Sequence, residues 1–534
     1  MSKAKGNPEA TLSPSRGKPK IRESNVAIQR RHRRRKSLVG GENFFQPVPA
    51  WIWLFTAMGV TWGYFTPNPI LTICSISMLP VLASLLWFKG EPPVLLFACC
   101  MQWLQATTAI FYSDFQNNQL SVDMDVGRGL IEEATWLSMA GVLVAAVGMR
   151  LALVNRDNRI VEQAQQEARL IQIDGVLVLY LIAFAFSFFL GRIAFGIPQL
   201  TQPLLALGAI RWVMLFLLAY SVLVNRRQYA LLGFAVGLEI VAGFTGYFSD
   251  FKSVFFILLI VLPAAGLTLR GWRLVQFVTA AILVFVLAVF WTAVKGDYRA
   301  SLNQGTGQQI ASLPIKQRLA ILSELPKTVD IEKFKQGFED LLLRISYVEY
   351  FALTIQNVPS NVPYEKGQLW WDSIKHVVMP RLLFPGKSVI DDSMRTSQYT
   401  GLEISGAERG TSISIGYFGE SYIDFGPIGM FGPIFLLGLF HGSIYRFFTT
   451  YSQKKIIGLA IAVSILVFGA CTIETSNIKI LGGNVVVCLA MTGFLIVGET
   501  RLWNLISRPP RRKRDLSSAD NVEPPANGRG AEKI

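Results

Sequence analysis

Residues 203–227 read PLLALGAIRWVMLFLLAYSVLVNRR, an apolar run that contains one charged residue, Arg211, and ends on the basic pair Arg226 and Arg227. A helix needs about 20 apolar residues to cross the hydrocarbon core of a bilayer, and this run is long enough. Inside a bilayer the backbone must satisfy its own hydrogen bonds, which a helix does within one segment. Because similar runs recur between residues 51 and 500, the sequence predicts an all-α membrane protein with many crossings.

The apolar runs can be drawn as about 12 transmembrane helices of roughly 17 to 25 residues each. They cover residues 51–66, 69–88, 94–112, 130–153, 174–195, 203–224, 228–248, 252–269, 273–294, 427–448, 456–475 and 480–500. Lys and Arg cluster in every second link, whereas the link at 66–68 has none and the link at 113–129 is mainly acidic. Since basic links stay in the cytoplasm, the sequence predicts a multi-pass protein of the cell inner membrane with both termini cytoplasmic.

The composition agrees with this class: 51% of the residues are hydrophobic and only 16% are charged. The net charge of +15 lies mostly in two tails, residues 1–48 and 501–534, which are rich in Ser, Pro, Gly and charge and are expected to be disordered. A basic tail beside a first transmembrane helix serves orientation and contact with anionic lipids, so no nucleic-acid partner is expected. Between the tails, residues 49–294 hold the first nine helices and residues 427–500 the last three.

Cysteine and histidine give no sign of a metal centre or a disulfide framework. The 5 Cys all lie inside apolar runs, and the chain has only 3 His. Neither group has the spacing of metal ligands, so no cofactor is expected. His441, amid Phe440 and Gly442, is expected to be a core histidine that hydrogen-bonds to a neighbouring helix.

The longest interruption, residues 295–426, follows the ninth predicted crossing and is therefore placed in one large extracytoplasmic loop. Apolar residues recur in it at spacings of 4, 3, 4, 3 and 4, which predicts an amphipathic helix over about 330–356. That stripe consists of Phe334, Phe338, Leu341, Ile345, Val348 and Ala352. Farther along, Trp370 and Trp371 are placed as an aromatic anchor at the membrane interface would be.

Charged residues inside apolar runs are costly, on the order of 2.5 to 3.5 kcal/mol for Arg at the centre of a helix, and so are candidates for a site. Arg211 lies about two turns into its helix, and Arg192 lies across a short link from it. One interpretation is that both side chains reach out to the lipid headgroups. The other is a pair of guanidinium groups that bind a lipid phosphate, with Glu239 as a charge partner of either.

A second group of candidates lies at the end of the loop. Basic residues there stand close in sequence to two carboxylates four residues apart, which share one face of a helix. The basic members are Arg381, Lys387, Arg395 and Arg409, and the carboxylates are Glu420 and Asp424. Cations can neutralise a pyrophosphate leaving group while a carboxylate deprotonates an attacking hydroxyl. The alternative is an exposed salt-bridge network.

Two segments carry a resemblance to a known family. Residues 380–387 read PRLLFPGK, and residues 411–426 read TSISIGYFGESYIDFG, at the end of a large loop in the C-terminal half. With this architecture, the chain resembles the Wzy-type oligosaccharide repeat-unit polymerases, which make O-antigen and exopolysaccharide.

The resemblance implies a metal-independent membrane glycosyltransferase at the outer face of the inner membrane. A growing chain on undecaprenyl pyrophosphate would be moved onto the next lipid-linked repeat unit. Arg192, Arg211, Arg381 and Arg409 would bind pyrophosphate, and Glu420 or Asp424 would attend the acceptor hydroxyl. The implied partners are the lipid-linked oligosaccharide and the bilayer, with a flippase and a chain-length regulator as candidate protein partners.

Two other functions are left open by the sequence. An O-antigen ligase has a similar loop and an Arg-rich site but transfers finished polymer to another acceptor. A polysaccharide or lipid flippase belongs to a different class, and broken polar helices around a central cavity would favour it.

Overall fold

The computed structural model describes residues 44–508 except 125, 127–128, 155, 158, 195–196, 198, 247–250, 268–270, 304–312, 380–382, 385, 388–390 and 405–411. Contacts divide the chain into a unit Met1–Phe45, of which only Phe44 and Phe45 are described, and a unit Gln46–Ile534 that contains every helix named below. The predicted disordered tails lie outside the described residues except for residues 44–48 and 501–508.

The regular secondary structure of the described residues is α-helical apart from a short 3₁₀ turn at Leu325–Thr328 and one isolated β-bridge. The first helices are α1 Ala50–Gly63, α2 Pro69–Leu86, α3 Val94–Phe115, α4 Leu120–Asp123, α5 Ile131–Ala152, α6 Ile160–Leu170 and α7 Ile173–Ala194. They are followed by α8 Thr201–Gly208, α9 Ile210–Asn225, α10 Tyr229–Thr245, α11 Lys252–Ala264, α12 Trp272–Asn303, α13 Ile315–Glu324 and α14 Ile331–Ile345. The last are α15 Val348–Asn357, α16 Gln368–Val378, α17 Asp392–Thr400, α18 Gly416–Gly429, α19 Phe431–Tyr451, α20 Lys455–Gly469 and α21 Asn477–Ile506.

Eight helical segments in the described residues are long and apolar enough to cross a membrane. They are α2, α3, α5, α7, the combined segment Thr201–Asn225, α12, α19 and α21. Each of the predicted apolar runs overlaps one or two helices of the described residues, so the all-α membrane class is confirmed. However, α1, α10, α11 and α20 have 14, 17, 13 and 15 residues. At about 1.5 Å per residue these four are shorter than a hydrocarbon core of about 30 Å, and a count of twelve crossings stays a prediction.

A close helix crossing joins α5 to α19 and depends on glycine. A Cβ added at Gly438 would lie 2.2 Å from the carbonyl oxygen of Ala145, and one added at Gly148 would lie 2.4 Å from that of Phe435. Any side chain at either position would force the two backbones apart. This contact fixes α19, and through it the preceding helix α18, against the membrane-type helices.

The loop region between α12 and α19 is largely helical. The single helix predicted over 330–356 is instead two helices, α14 and α15, because the backbone of Ser346 is extended and ends the first one. At this break the N–H of Tyr347 donates to the carbonyl of Gln105 on α3 at 3.1 Å. At the other end of the chain, α21 continues to Ile506, beyond the predicted tail boundary at 501.

Candidate functional site

A cavity of about 1080 Å³ lies between α7, α8, α9, α20 and α21. Most of its wall is apolar, with side chains such as Phe188, Leu205, Trp212, Phe468 and Ile480. Three cations also line it: Arg192 at the end of α7, Arg211 on α9 and Lys479 on α21. The cavity thus joins an apolar wall to positive charge, which suits an anionic lipid better than a free ion.

Arg211 is held at the cavity wall by Glu239, the partner suggested by the sequence. Its Nε lies 3.5 Å from Oε1 of Glu239, whose side chain is only 4% exposed. The hydroxyl of Tyr180 donates to the same carboxylate oxygen at 2.9 Å. The guanidinium also lies 4.3 Å from the centre of the Trp212 ring. Because a charge in an apolar helix is costly when unpaired, these contacts account for how Arg211 is tolerated there.

Arg192 lines the same cavity but is held differently. It lies in the last turn of α7 and is exposed. Among the described residues it has no ion-pair partner. Its guanidinium is therefore available to an anion without first losing a carboxylate.

Glu420 lies on α18 and contacts the start of α21. Its side chain is buried, with 3% exposure. Its Oε2 accepts the backbone N–H of Asn477 at 2.7 Å, and its Oε1 lies 3.9 Å from Nη1 of Arg395. Burial raises the pKa of Glu420 to about 8, while the Asn477 N–H and the Arg395 charge oppose the rise. A carboxyl group with a pKa near neutrality is suited to exchange a proton with substrate.

Two further residues connect Glu420 to the cavity. Nζ of Lys479 lies 2.6 Å from Oδ2 of Asp392 and donates to Ser412 at 2.8 Å. The hydroxyl of Ser476 donates to the same Asp392 oxygen at 3.2 Å. Lys479 thus lines the cavity and pairs with Asp392, one helical turn from Arg395 on α17. The first turn of α21 carries both this lysine and the N–H that binds Glu420.

Buried polar groups near Glu420 lack hydrogen-bond partners among the described residues. They are the hydroxyl of Tyr347 and both polar atoms of the Asn477 side chain. Burial raises the pKa of Tyr347, and the charges of Glu474 and Glu420 raise it further. These neutral groups can donate to or accept from a hydroxyl group.

Asp424 and Lys387, both predicted site residues, hold the two ends of α16. The Asp424 carboxylate accepts the backbone N–H groups of Leu369 and Trp370 at 3.1 and 2.9 Å. Nζ of Lys387 donates to the carbonyl of Met379 at 2.8 Å and to that of His376. With both oxygens engaged at a helix N-terminus, Asp424 is a poorer candidate for a base than Glu420.

The structure therefore describes six of the eight predicted site residues, and these six lie in three different environments. Arg192 and Arg211 meet at the cavity, Arg395 and Glu420 form a pair, and Asp424 and Lys387 fix α16. Arg381 and Arg409 lie outside the described residues, and their roles stay predictions. Sequence reasoning missed Asp392, although the Asp391-Asp392-Ser393 segment has the composition of a helix start.

Comparison with known proteins gives one match. The model of a family described as a domain of unknown function, DUF8712, matches residues 73–471, which include Arg211, Arg395 and Glu420 and end before Lys479. No curated protein and no solved structure matches the chain. Because this match covers most of the sequence, the chain belongs to the DUF8712 family.

Proposed function

We propose that this protein is a membrane glycosyltransferase that joins undecaprenyl-pyrophosphate-linked oligosaccharide repeat units into O-antigen or exopolysaccharide. The proposal includes a topology of about 12 crossings in the inner membrane, with both termini cytoplasmic and residues 295–426 outside. The observation that carries it is the apolar cavity lined by Arg192 and Arg211, joined through Lys479 to the cluster around Glu420.

The cavity suits a lipid pyrophosphate because its two kinds of wall match the two parts of that molecule. Apolar side chains such as Leu205 and Phe468 would contact the prenyl chain. The guanidinium groups of Arg192 and Arg211 would bind the phosphate oxygens, for which the planar guanidinium is well shaped. An anion bound at Arg211 would bring a second negative charge to this arginine, which already pairs with Glu239.

The chemical step is a glycosyl transfer. The oxygen of an acceptor hydroxyl attacks the anomeric carbon of the donor chain and forms the new glycosidic bond. The bond from that carbon to the pyrophosphate oxygen breaks, and the lipid pyrophosphate leaves with the bonding electrons. Cations at the cavity stabilise the charge on the leaving group, and the proton of the acceptor hydroxyl passes to the carboxylate of Glu420.

The test is the lipid-linked glycan profile of a deletion strain, separated by length and by membrane face. A polymerase mutant accumulates single repeat units that reach the outer face. Long lipid-linked chains in that strain would contradict the proposal and point to a ligase. Single units stranded on the inner face would also contradict it and point to a flippase.

Complementation of the deletion strain with variant genes tests whether Glu420 is needed for this activity. The wild-type gene and the Glu332→Gln variant should restore the polymer, because Glu332 is exposed on α14. The Glu420→Gln variant should not restore it although the protein is inserted at normal abundance. Full restoration by Glu420→Gln would remove Glu420 from the proposed mechanism.

A further inference from the structure

Helix α16 has three different sectors around its circumference. One sector is buried against the protein and contains Leu369 and Ser373. A second is apolar and exposed, with residues spaced by three and four so that they share one face: Trp371, Ile374 and Val378, which are 61%, 44% and 72% exposed. The third is polar and consists of Gln368, Asp372 and Lys375. If water surrounded the free side of α16, the exposed apolar side chains of the second sector would be unfavourable there.

The position of α16 indicates what covers its apolar sector. It packs against α21, a helix long and apolar enough to cross a membrane. A Cβ added at Gly482 would lie 3.7 Å from the side chain of Val377, so α16 runs beside the first two turns of α21. Farther along, α21 exposes Leu489 and Ile496, as a lipid-facing helix does. The end of a membrane-crossing helix is the level at which amphipathic helices meet the headgroup boundary.

We propose that α16 is an interfacial helix whose Trp371, Ile374 and Val378 side chains insert into the headgroup–acyl boundary of the phospholipid bilayer. An exposed Trp beside a basic residue, here Lys375, is the arrangement favoured at that depth. Its neighbour Trp370 plays another part, since its indole N–H donates to the Ser421 hydroxyl at 3.1 Å inside the protein. This inference does not depend on the proposed glycosyl transfer.

The contacts at the two ends of α16 connect this interfacial helix to the helix that carries Glu420. Asp424 binds the first N–H groups of α16 and lies one helical turn from Glu420 on α18. Lys387 binds the carbonyl groups at its other end. A helix anchored in the bilayer and fastened to α18 in this way sets the depth of Glu420 relative to the lipid headgroups.

Site-directed fluorescence in lipid nanodiscs tests the proposal on the full-length protein. The 5 native cysteines are first replaced by Ser or Ala, and single cysteines are then introduced and labelled with the environment-sensitive fluorophore NBD. The test positions are Trp371→Cys, Ile374→Cys and Val378→Cys. The matched controls on the same helix are Gln368→Cys and Lys375→Cys, and Leu489→Cys reports a lipid-facing position. Quenching is measured with a phosphatidylcholine that carries a doxyl group near the headgroup, and with iodide in water.

Labels in the apolar sector should be quenched several-fold more by the doxyl lipid than labels in the polar sector, and several-fold less by iodide. Equal iodide quenching in both sectors would overturn the proposal, because the apolar face would then meet water. Protection of the apolar sector from both quenchers would also overturn it, because a protein partner or a second copy would then cover that face. The three test positions give independent readings if one label disturbs local packing.

Discussion

The two Arg–Glu pairs of the candidate site, Arg211–Glu239 and Arg395–Glu420, differ in the distance between their members and in the group that binds the carboxylate. At the cavity, Glu239 is buried and bonded to Tyr180, while Arg211 faces the open space. Near α21, Glu420 is bound by a backbone N–H, and its N···O distance to Arg395 is the longer of the two, 3.9 Å against 3.5 Å. We infer that Glu239 holds Arg211 in position for ligand binding in the first pair. In the second pair, Arg395 holds Glu420 in position for proton transfer.

The largest effect is expected from Glu420→Gln. Loss of a general base costs typically about 10²- to 10⁴-fold in rate, whereas the amide keeps the size of the side chain and can still accept the Asn477 N–H. Chain extension in membrane vesicles from the complemented deletion strain measures it, with Glu332→Gln as the exposed control. An unchanged rate would make the second pair a structural contact only.

The pH profile of the same reaction sharpens this prediction. A base must be deprotonated, and with a pKa of about 8 most Glu420 side chains carry a proton at pH 7. The wild-type rate should therefore rise with pH, reach half of its maximum near pH 8 and level off at higher pH. The residual rate of Glu420→Gln should lack this rise, and the same slope in both proteins would assign it to another group.

The next largest effect is expected from Arg211→Ala, which removes a cation from beside the buried carboxylate of Glu239. Removing one member of a buried pair costs about 3–5 kcal/mol of stability, so thermal unfolding in detergent should shift down. The double variant Arg211→Ala/Glu239→Gln should recover most of this stability but no chain extension. Recovery of both would mean that the first pair is structural, and Arg211→Lys should be intermediate because it lacks the guanidinium fork.

A smaller shift is expected from Asp392→Asn. The negative charge of Asp392 raises the pKa of Glu420. Without it, the pH of half-maximal rate should move to lower values, since Glu420 then ionises more readily. Asp372→Asn on α16, whose carboxylate bonds to Gln368 at 3.0 Å, is the control and should leave the midpoint in place. A midpoint unchanged or raised in Asp392→Asn would contradict the connection between Lys479, Asp392 and Glu420.

The sequence predicted those features that depend on local pattern. Long apolar runs marked the helices, a charge inside a run marked Arg211, and the expectation that His441 bonds to a neighbouring helix is confirmed by its contact with Asn484 at 3.2 Å. The pairing of Asp392 with Lys479 could not be predicted, because these residues are far apart in sequence and meet only when α17 packs near α21. Likewise, the spacing of Glu420 and Asp424 placed them on one helix face but could not show that Asp424 binds the start of α16.

The smallest effect is expected from Arg192→Ala, and it tests whether an exposed cation at the cavity contributes to binding. Arg192 has no ion-pair partner among the described residues, so its removal leaves no buried charge behind and should not change the unfolding temperature. A hydrogen bond to a charged group contributes about 1.5–3 kcal/mol, and screening by water places this exposed side chain at the lower end. The affinity for undecaprenyl pyrophosphate, measured in nanodiscs, should fall by roughly tenfold, and high salt should shrink the difference from wild type. An affinity equal to wild type at low salt would mean that Arg192 does not contribute to binding and that Arg211 is the arginine that binds the ligand. The difference between the paired Arg211 and the exposed Arg192 would then not affect ligand binding in the expected way.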